Sequence, residues 1–252
     1  MGAAGPLMGG VGRLVVAVAA LAAVALGALA AARVRMGRDA AVAIARAAVQ
    51  LAAVALVIGW VFRHPGAVWL YLAVMVAAAT WTSTRRIGLG AAGAWRVAAA
   101  IVAGAVVAVG AVMGAGALPR QAASLLPFAA QIIGGSMTAV SLAGQRMRDE
   151  ARATWPEVEG WLALGARPRQ AAAPLARVAV SRALVPAIDQ TRNAGVVVLP
   201  GAFVGLLLGG ASPLEAAQVQ LLVLVGLLAA ESVAAVAATQ LMRAGTGARR
   251  PA

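Results

Sequence analysis

Long apolar runs alternate with short polar segments along this chain, and that pattern predicts an all-α membrane protein. Each run has about the 20 apolar residues that a helix needs to cross a hydrocarbon core of roughly 30 Å. We predict a polytopic transmembrane helical bundle with spans at residues 11–32, 42–62, 67–82, 95–113, 125–144, 185–209 and 217–242. Six or eight spans stay open, because the first and sixth runs could each be broken or re-entrant. Residues 1–252 would form a single membrane domain.

Composition supports the same class. Hydrophobic residues make up 62% of the 252 residues and charged residues only 12%, whereas a soluble domain is closer to one half and one quarter. The net charge of +13 would suggest nucleic-acid binding in a soluble protein. Here the arginines lie at helix ends, where topology and anionic lipid headgroups account for them. We therefore expect membrane lipid, and no nucleic acid, among the partners.

The arginines fall on alternate loops, which predicts the orientation. With the N-terminus outside and the C-terminus inside, the outer side holds only Arg13, Arg63 and Arg120, as the positive-inside rule requires. The first span would be a retained helix, because its basic cluster at residues 33–38 follows the apolar run. The bias toward Ala, Gly, Val and Arg is typical of a GC-rich bacterial genome. The predicted location is therefore a bacterial cytoplasmic (inner) membrane.

One long polar segment on the basic side, residues 149–182, predicts a cytoplasmic amphipathic helix. Glu157 and Glu159 follow Pro156, where a helix would begin and where negative charge suits the helix dipole. Gly165 would end the helix, and a basic turn, Arg167-Pro168-Arg169, would follow. Its apolar side would consist of Val158, Trp161, Leu162 and Leu164. Such a helix either lies along the membrane face or docks into a groove on a partner.

Polar residues and a proline inside the predicted spans are candidates for a pathway or gate. Pro200-Gly201 lies within the sixth span, where a proline removes a backbone hydrogen bond and kinks the helix. Glu231 lies near the middle of the seventh span, and an isolated carboxylate within a membrane is a functional candidate. An inner polar network could also form from Arg46, Gln50, Asp189, Arg192 and Asn193. Its role would be either to hold helices together or to act as an inner gate.

Several of these segments resemble the FetB family of iron-export permeases, which includes plant aluminium-tolerance permeases and belongs to the ABC-transporter superfamily. The motifs are Arg46-x-x-x-Gln50-Leu51, Leu126-Pro127-Phe128 through Gly134 and Met137, residues 164–171, and residues 182–220 with Pro186, Asp189, Gly195, Leu199-Pro200-Gly201, Gly205, Gly210 and Gln220. The family often has Asn in the small-residue run of the fifth span, where this chain has Gly135-Ser136. If that Asn contacts the substrate in the family, the substrate of this chain would differ.

The resemblance implies that this chain is the permease subunit of an ABC exporter. Two copies of the chain would form the pathway, and ATPase subunits would dock on them. The implied ATPase-docking residues are Glu157, Glu159, Trp161, Leu162, Leu164, Gly165, Ala166 and Arg167. The chain has no lysine and hence no phosphate-binding loop of the Gly-x-x-x-x-Gly-Lys type. ATP and magnesium would therefore be used by the partner, and no cofactor or catalytic residue is expected in this chain.

Two other functions stay open at this stage. A proton-driven secondary transporter would use Glu231 as its relay, and a non-transporting membrane scaffold would need no pathway. A membrane-embedded enzyme is disfavoured, because the spans contain no His pair, Ser-Lys dyad or paired carboxylates. No spacing of His, Cys, Asp and Glu indicates a high-affinity metal site. Iron as the substrate therefore follows from the resemblance alone.

Overall fold

The computed structural model describes residues 5–64, 66–119 and 121–246, and helices account for most of them. Arg120, which the charge pattern assigns to the outer side, lies outside the described residues. The helices are α1 Gly5–Ala31, α2 Gly37–Val61, α3 Ala67–Ile87, α4 Ala94–Gly114, α5 Ala122–Ala153, α6 Trp155–Ala163, α7 Pro168–Ala171, α8 Ala173–Asn193, α9 Gly201–Leu208 and α10 Pro213–Thr246. A 3-10 turn, Ala91–Gly93, leads into α4.

Six helical segments of the described chain are long and apolar enough to cross a membrane. They are Gly12–Ala31, Gly37–Val61, Ala67–Ile87, Ala91–Gly114, Ala122–Ala153 and Pro213–Thr246. These segments correspond to six of the seven predicted spans, all except the sixth. The all-α, multi-span class is therefore confirmed, while the orientation stays a prediction.

The sixth span is not one continuous helix, so the prediction of a single helix over residues 185–209 is wrong. Helix α8 ends at Asn193, whose carbonyl accepts N–H groups from residues 196–198 instead of continuing the helix. Gly195 has a φ of +81°, which a helix does not permit. Pro200 adopts an extended conformation and caps α9, so Pro200-Gly201 begins a helix rather than kinking one. The alternative of a broken run is confirmed.

The chain divides into two compact units. Helices α1 and α2 pack against each other in the first unit, and α3 to α10 form the second. The predicted single membrane domain over residues 1–252 stays a prediction.

Helices α5 and α10 lie at the centre of the second unit and pack against each other and against α4 and α8. Small residues allow this approach. A Cβ atom at Gly104 of α4 would lie 2.5 Å from the carbonyl oxygen of Ala230 in α10. On the other side of α5, the buried hydroxyls of Ser83 and Ser141 are 2.8 Å apart and join α3 to α5. Small residues and a buried pair of hydroxyls thus bring the helices of the second unit into close contact.

The segment at residues 149–182 is almost entirely helical. Helix α5 continues to Ala153, nine residues beyond the predicted end of the fifth span, and α6 forms where the sequence predicted a helix. Gly165 ends α6 with a φ of +87°. Its N–H donates to the Leu162 carbonyl, and the next N–H donates to the Trp161 carbonyl, the bonds of a Schellman motif. The predicted basic turn is instead the beginning of α7, which Arg167 caps.

Candidate functional site

Glu231 lies at the centre of α10, about 27 Å and 22 Å along the helix from its two ends at 1.5 Å per residue. Its side chain is partly buried and has no hydrogen bond or ion pair with another described residue. The neighbouring helix makes room for it with a glycine. A Cβ atom at Gly135 of α5 would lie 2.6 Å from Glu231 Oε1. The position of the Glu231 carboxylate therefore depends on the absence of a side chain at Gly135.

Glu231 faces a cleft of about 540 Å³, which we call the central cleft. It lies between α5, α8, α10 and the start of α9. Its lining residues are Gln131, Gly134, Gly135, Thr138, Pro186, Ala187, Gln190, Pro200, Gly201, Ala202, Gln220, Val223, Leu227 and Glu231. The cleft thus combines one carboxylate with four neutral amide and hydroxyl side chains, and its other lining residues are apolar or glycine. Among the described residues, no group of three or more His, Cys, Asp or Glu side chains could hold a metal ion.

A second cavity of about 510 Å³ adjoins the central cleft, with which it shares Gln131, Ala202 and Val223. This outer cavity reaches Leu118 and Pro119, in the connection between α4 and α5 that the charge pattern assigns to the outer side. Its lining is mainly apolar and includes Pro127, the proline inside α5. The outer cavity therefore extends from residues that it shares with the central cleft toward the predicted outer end of the bundle.

The short helix α9 is anchored by a residue whose role the sequence reading missed. The buried side chain of Gln220 in α10 accepts a hydrogen bond from the Phe203 N–H through Oε1 at 3.2 Å. Phe203 is in the first turn of α9, where an N–H has no partner within the helix. Gln220 thereby fixes the half-helix that borders the cleft. A glutamine within the apolar run of the seventh span is the sequence signal that could have identified Gln220.

The structure brings together only part of the predicted inner network. Asp189 Oδ1 and Arg192 Nη1 are 3.8 Å apart, and both side chains are exposed at the end of α8. Arg46 and Gln50 lie four residues apart on an exposed face of α2, within the first unit. The full network, including Asn193, stays a prediction. Of the predicted pathway residues, Pro200, Gly201 and Glu231 meet at the central cleft.

Helix α6 has two different faces. Val158 is buried and Leu162 is partly buried against the core, whereas Trp161 and Leu164 are 53% and 83% exposed. The prediction that all four residues share one apolar side is therefore wrong, because the side chains of Trp161 and Leu164 point away from the core. A cleft of about 500 Å³, which we call the α6 surface, is lined by Trp161, Leu164, Gly165, Ala166, Gln170, Ala173, Pro174 and Arg177. The carboxylates Glu157 and Glu159 are exposed on the same helix.

In the part of the chain that the structure describes, six membrane-length helices and a broken span define a multi-pass membrane protein. A family described as Uncharacterised protein family (UPF0014) matches residues 13–245. The chain is 35% identical over 201 residues to the UPF0014 membrane protein STAR2 of Oryza sativa subsp. japonica, with 79% of this chain and 70% of that protein covered. It is 30% identical over 200 residues to the Protein ALUMINUM SENSITIVE 3 of Arabidopsis thaliana, with 79% and 73% covered.

A bacterial relative is similar over the same length. The chain is 29% identical over 200 residues to the Probable iron export permease protein FetB of Escherichia coli (strain K12), with 79% of this chain and 77% of that protein covered. No solved structure matches this chain. The chain belongs to the UPF0014 family. It is a multi-pass protein of the cell membrane.

Proposed function

We propose that this chain is the membrane-spanning subunit of an ABC transporter that exports metal ions. ATP and magnesium are used by a separate ATPase subunit, and two copies of the chain form the pathway. The observation that carries the proposal is the central cleft, where Glu231 faces a broken span and a cavity leads outward. Broken helices near the membrane midplane are typical of transport sites. The bacterial relative named as a probable iron export permease supports metal ions as the cargo.

The chemistry of the cleft suits a cation that binds briefly and leaves. Glu231 supplies the negative charge, while Gln131, Thr138 and Gln190 offer neutral oxygen atoms in place of part of the hydration shell. Oxygen ligands suit hard cations. A single carboxylate without a closed set of charged ligands binds weakly. Weak binding is what transport needs, because a cation held too tightly would not be released.

An ATPase docked on the α6 surface would be connected to the central cleft through rigid packing. Trp155 and Val158 of α6 are buried in the same core cluster as Met147 of α5 and Leu175 of α8. Helices α5 and α8 both line the central cleft. When ATP closes the ATPase dimer, a shift of α6 therefore moves two walls of the cleft together. This movement shifts the bundle between inward-open and outward-open states.

The docking part of the proposal is tested by co-purification with candidate ATPase subunits. Leu164→Asp places a charge on the exposed apolar surface without touching the core, because Leu164 is 83% exposed. Ala153→Asp is the matched control, since it adds the same charge at an exposed position at the end of α5. We expect the wild type and the control to bind an ATPase and stimulate ATP hydrolysis, and Leu164→Asp to bind weakly. Failure of the correctly inserted wild type to bind any candidate would contradict the ABC assignment.

The transport part is tested with Glu231→Gln in cells loaded with iron. Loss of metal export, with ATPase binding preserved, is expected, because the cleft keeps its shape but loses its charge. Transport that continues without any ATPase and stops in Glu231→Gln would instead favour the proton-driven alternative. A complete absence of substrate-dependent effects would favour a membrane scaffold.

A further inference from the structure

A second polar cavity lies apart from the central cleft, where the end of α3 meets α5. It measures about 430 Å³ and is lined by Arg86, Arg146, Arg148, Arg152 and Asp149, among others. We call it the basic cleft. Four guanidinium groups surround it against a single carboxylate. The transport proposal uses none of these residues.

The base of the basic cleft is fixed by hydrogen bonds to the end of α3. The Gln145 side-chain amide donates to the Arg86 carbonyl oxygen at 3.1 Å. The Arg148 guanidinium donates to the Ile87 carbonyl oxygen. Gly88, with a φ of +71°, leaves the room that the Arg148 side chain occupies. These bonds satisfy carbonyl groups that a helix end leaves open, and they hold Arg148 in place.

Two other guanidinium groups are available to a ligand. The exposed side chains of Arg86 and Arg146 have no hydrogen bond or ion pair with any other residue that the structure describes. They lie on different helices, on the two sides of the cleft. A guanidinium group binds phosphate oxygens through two parallel hydrogen bonds. The cleft therefore offers two unoccupied donors of the geometry that a phosphate group accepts.

Aromatic residues indicate that this cleft lies at the membrane surface. Trp81 of α3 and Trp95 of α4 are 63% and 58% exposed, as is typical of residues at the headgroup level. The Arg85 guanidinium lies 4.7 Å from the centre of the Trp81 ring. Arg86 comes five residues after Trp81, about 7.5 Å further along the helix axis. The positive-inside pattern assigns this end to the cytoplasmic leaflet, which carries anionic lipids.

The helix surfaces above the cleft suit an acyl chain. Leu142, partly buried, forms the apolar edge of the cleft on α5. One turn earlier on α3, the Thr82 hydroxyl donates to the Ala78 carbonyl at 2.8 Å, so a hydrocarbon chain beside it would leave no hydrogen bond unmade.

We propose that the basic cleft binds the headgroup phosphate of an anionic phospholipid. Arg86 and Arg146 contact the phosphate, and Arg148 contributes a fixed positive charge beneath it. Asp149 accepts a hydrogen bond from a headgroup hydroxyl, which favours phosphatidylglycerol over a headgroup without donors. The site would anchor the ends of α3 and α5, and α5 is a wall of the central cleft.

The test is native mass spectrometry of the purified, delipidated full chain. Phosphatidylglycerol and phosphatidylcholine with identical acyl chains are titrated separately, and inorganic phosphate is added as a competitor. Arg86→Gln/Arg146→Gln removes the two free guanidinium groups. Arg35→Gln/Arg38→Gln is the matched control, because it removes two exposed arginines that do not line the cleft. Arg86→Lys/Arg146→Lys changes the same two positions but keeps the charge, so it separates loss of charge from a disturbance of the fold.

We expect the wild type to retain phosphatidylglycerol in preference to phosphatidylcholine. The Gln variant should bind phosphatidylglycerol about 30-fold more weakly, from the typical contribution of two basic residues at a membrane surface. The control should bind as the wild type does, and the Lys variant should keep most of the preference. Equal weakening in the control, or no preference in the wild type, would overturn the proposal. Displacement by inorganic phosphate at the lipid's concentration would show a soluble-anion site instead and would overturn it too.

Discussion

At the residue scale, the two adjacent glycines of α5 have different surroundings. A Cβ atom at Gly135 would meet Glu231 Oε1 at 2.6 Å and Leu227 Cδ2 at 2.7 Å, whereas one at Gly134 would meet no atom within 4 Å. Both residues line the central cleft. Only Gly135 is needed for the close approach of α5 and α10 beside the carboxylate. The same glycine therefore determines packing and the position of the charge.

Gly135→Ala should destabilise the protein by only about 1 kcal/mol or less, because the methyl group meets the ends of two flexible side chains and Ala favours a helix more than Gly does. It should also reduce transport, because the added methyl group displaces Glu231. Gly134→Ala is the matched control and should leave both stability and transport close to wild type. Thermal unfolding in detergent and metal export in cells measure the two effects. Equal behaviour of the two variants would contradict the proposed contact between α5 and Glu231.

The negative charge that the proposal assigns to Glu231 requires water in the central cleft. A carboxylate in hydrocarbon is costly, and it persists in membrane proteins when it faces a partner or an aqueous cavity. Among the described residues Glu231 has no bonding partner. The central cleft supplies the remaining possibility, hydration, together with the neutral oxygens of Gln131 and Gln190.

At the element scale, the central feature is the break between α8 and α9. Helix α9 has eight residues and is about 12 Å long, too short to cross a membrane alone. Neighbouring helices must therefore hold α9 in position. Gln220 contributes by accepting a hydrogen bond from the first turn of α9. The flanking segment 196–199 is apolar and largely exposed. The half-helix is therefore held mainly from the side of α10.

Gln220→Ala should loosen α9 by removing the acceptor for the Phe203 N–H. We expect a loss of about 1 kcal/mol, the typical contribution of one hydrogen bond, and faster hydrogen exchange at residues 201–204. Gln218→Ala is the control, because Gln218 is exposed on the same helix and has no such bond to α9. Hydrogen exchange followed by mass spectrometry resolves the segment. If both variants exchange alike, Gln220 does not anchor α9.

The same break shows what the sequence could predict and what it could not. Hydropathy correctly predicted the six continuous spans, because burial in lipid requires long apolar helices. It failed at residues 185–209, since Val196, Val197 and Val198 are as apolar as a helix interior. Apolar composition does not report backbone conformation. Gly195 and Pro200, at the two ends of the break, were the available signals.

The candidate site was predictable only in part for a similar reason. Glu231 could be found, because a carboxylate in an apolar run is conspicuous by itself. Gln131, Thr138 and Gln190 are ordinary polar residues, and their importance comes from α5 and α8 meeting α10. The spacing of Gln131 and Thr138, seven residues apart on one face of α5, was a weak indication. Tertiary packing, which no single segment encodes, assembled the rest.

At the scale of the whole molecule, the proposal requires the central cleft and outer cavity to form one hydrated route. The chain contains no cysteine, so single cysteines introduced into it report accessibility without background. A thiol reacts as its thiolate, which forms readily in water and poorly in hydrocarbon. Accessibility to a charged reagent therefore distinguishes a water-filled cleft from a lipid-facing surface.

Gln131→Cys, where the two cavities meet, should react with a charged, membrane-impermeant thiol reagent added from the outer side. Val106→Cys is the control, because Val106 is 63% exposed on the apolar surface of α4 and would face lipid. We expect the control to react at least about tenfold more slowly, since its thiolate is disfavoured in hydrocarbon. With a bound ATPase, the Gln131→Cys rate should change when a non-hydrolysable ATP analogue is added, because docking at α6 moves α5. If Gln131→Cys is as unreactive as the control in every nucleotide state, the cavities do not form an outward route, and export through this cleft is contradicted.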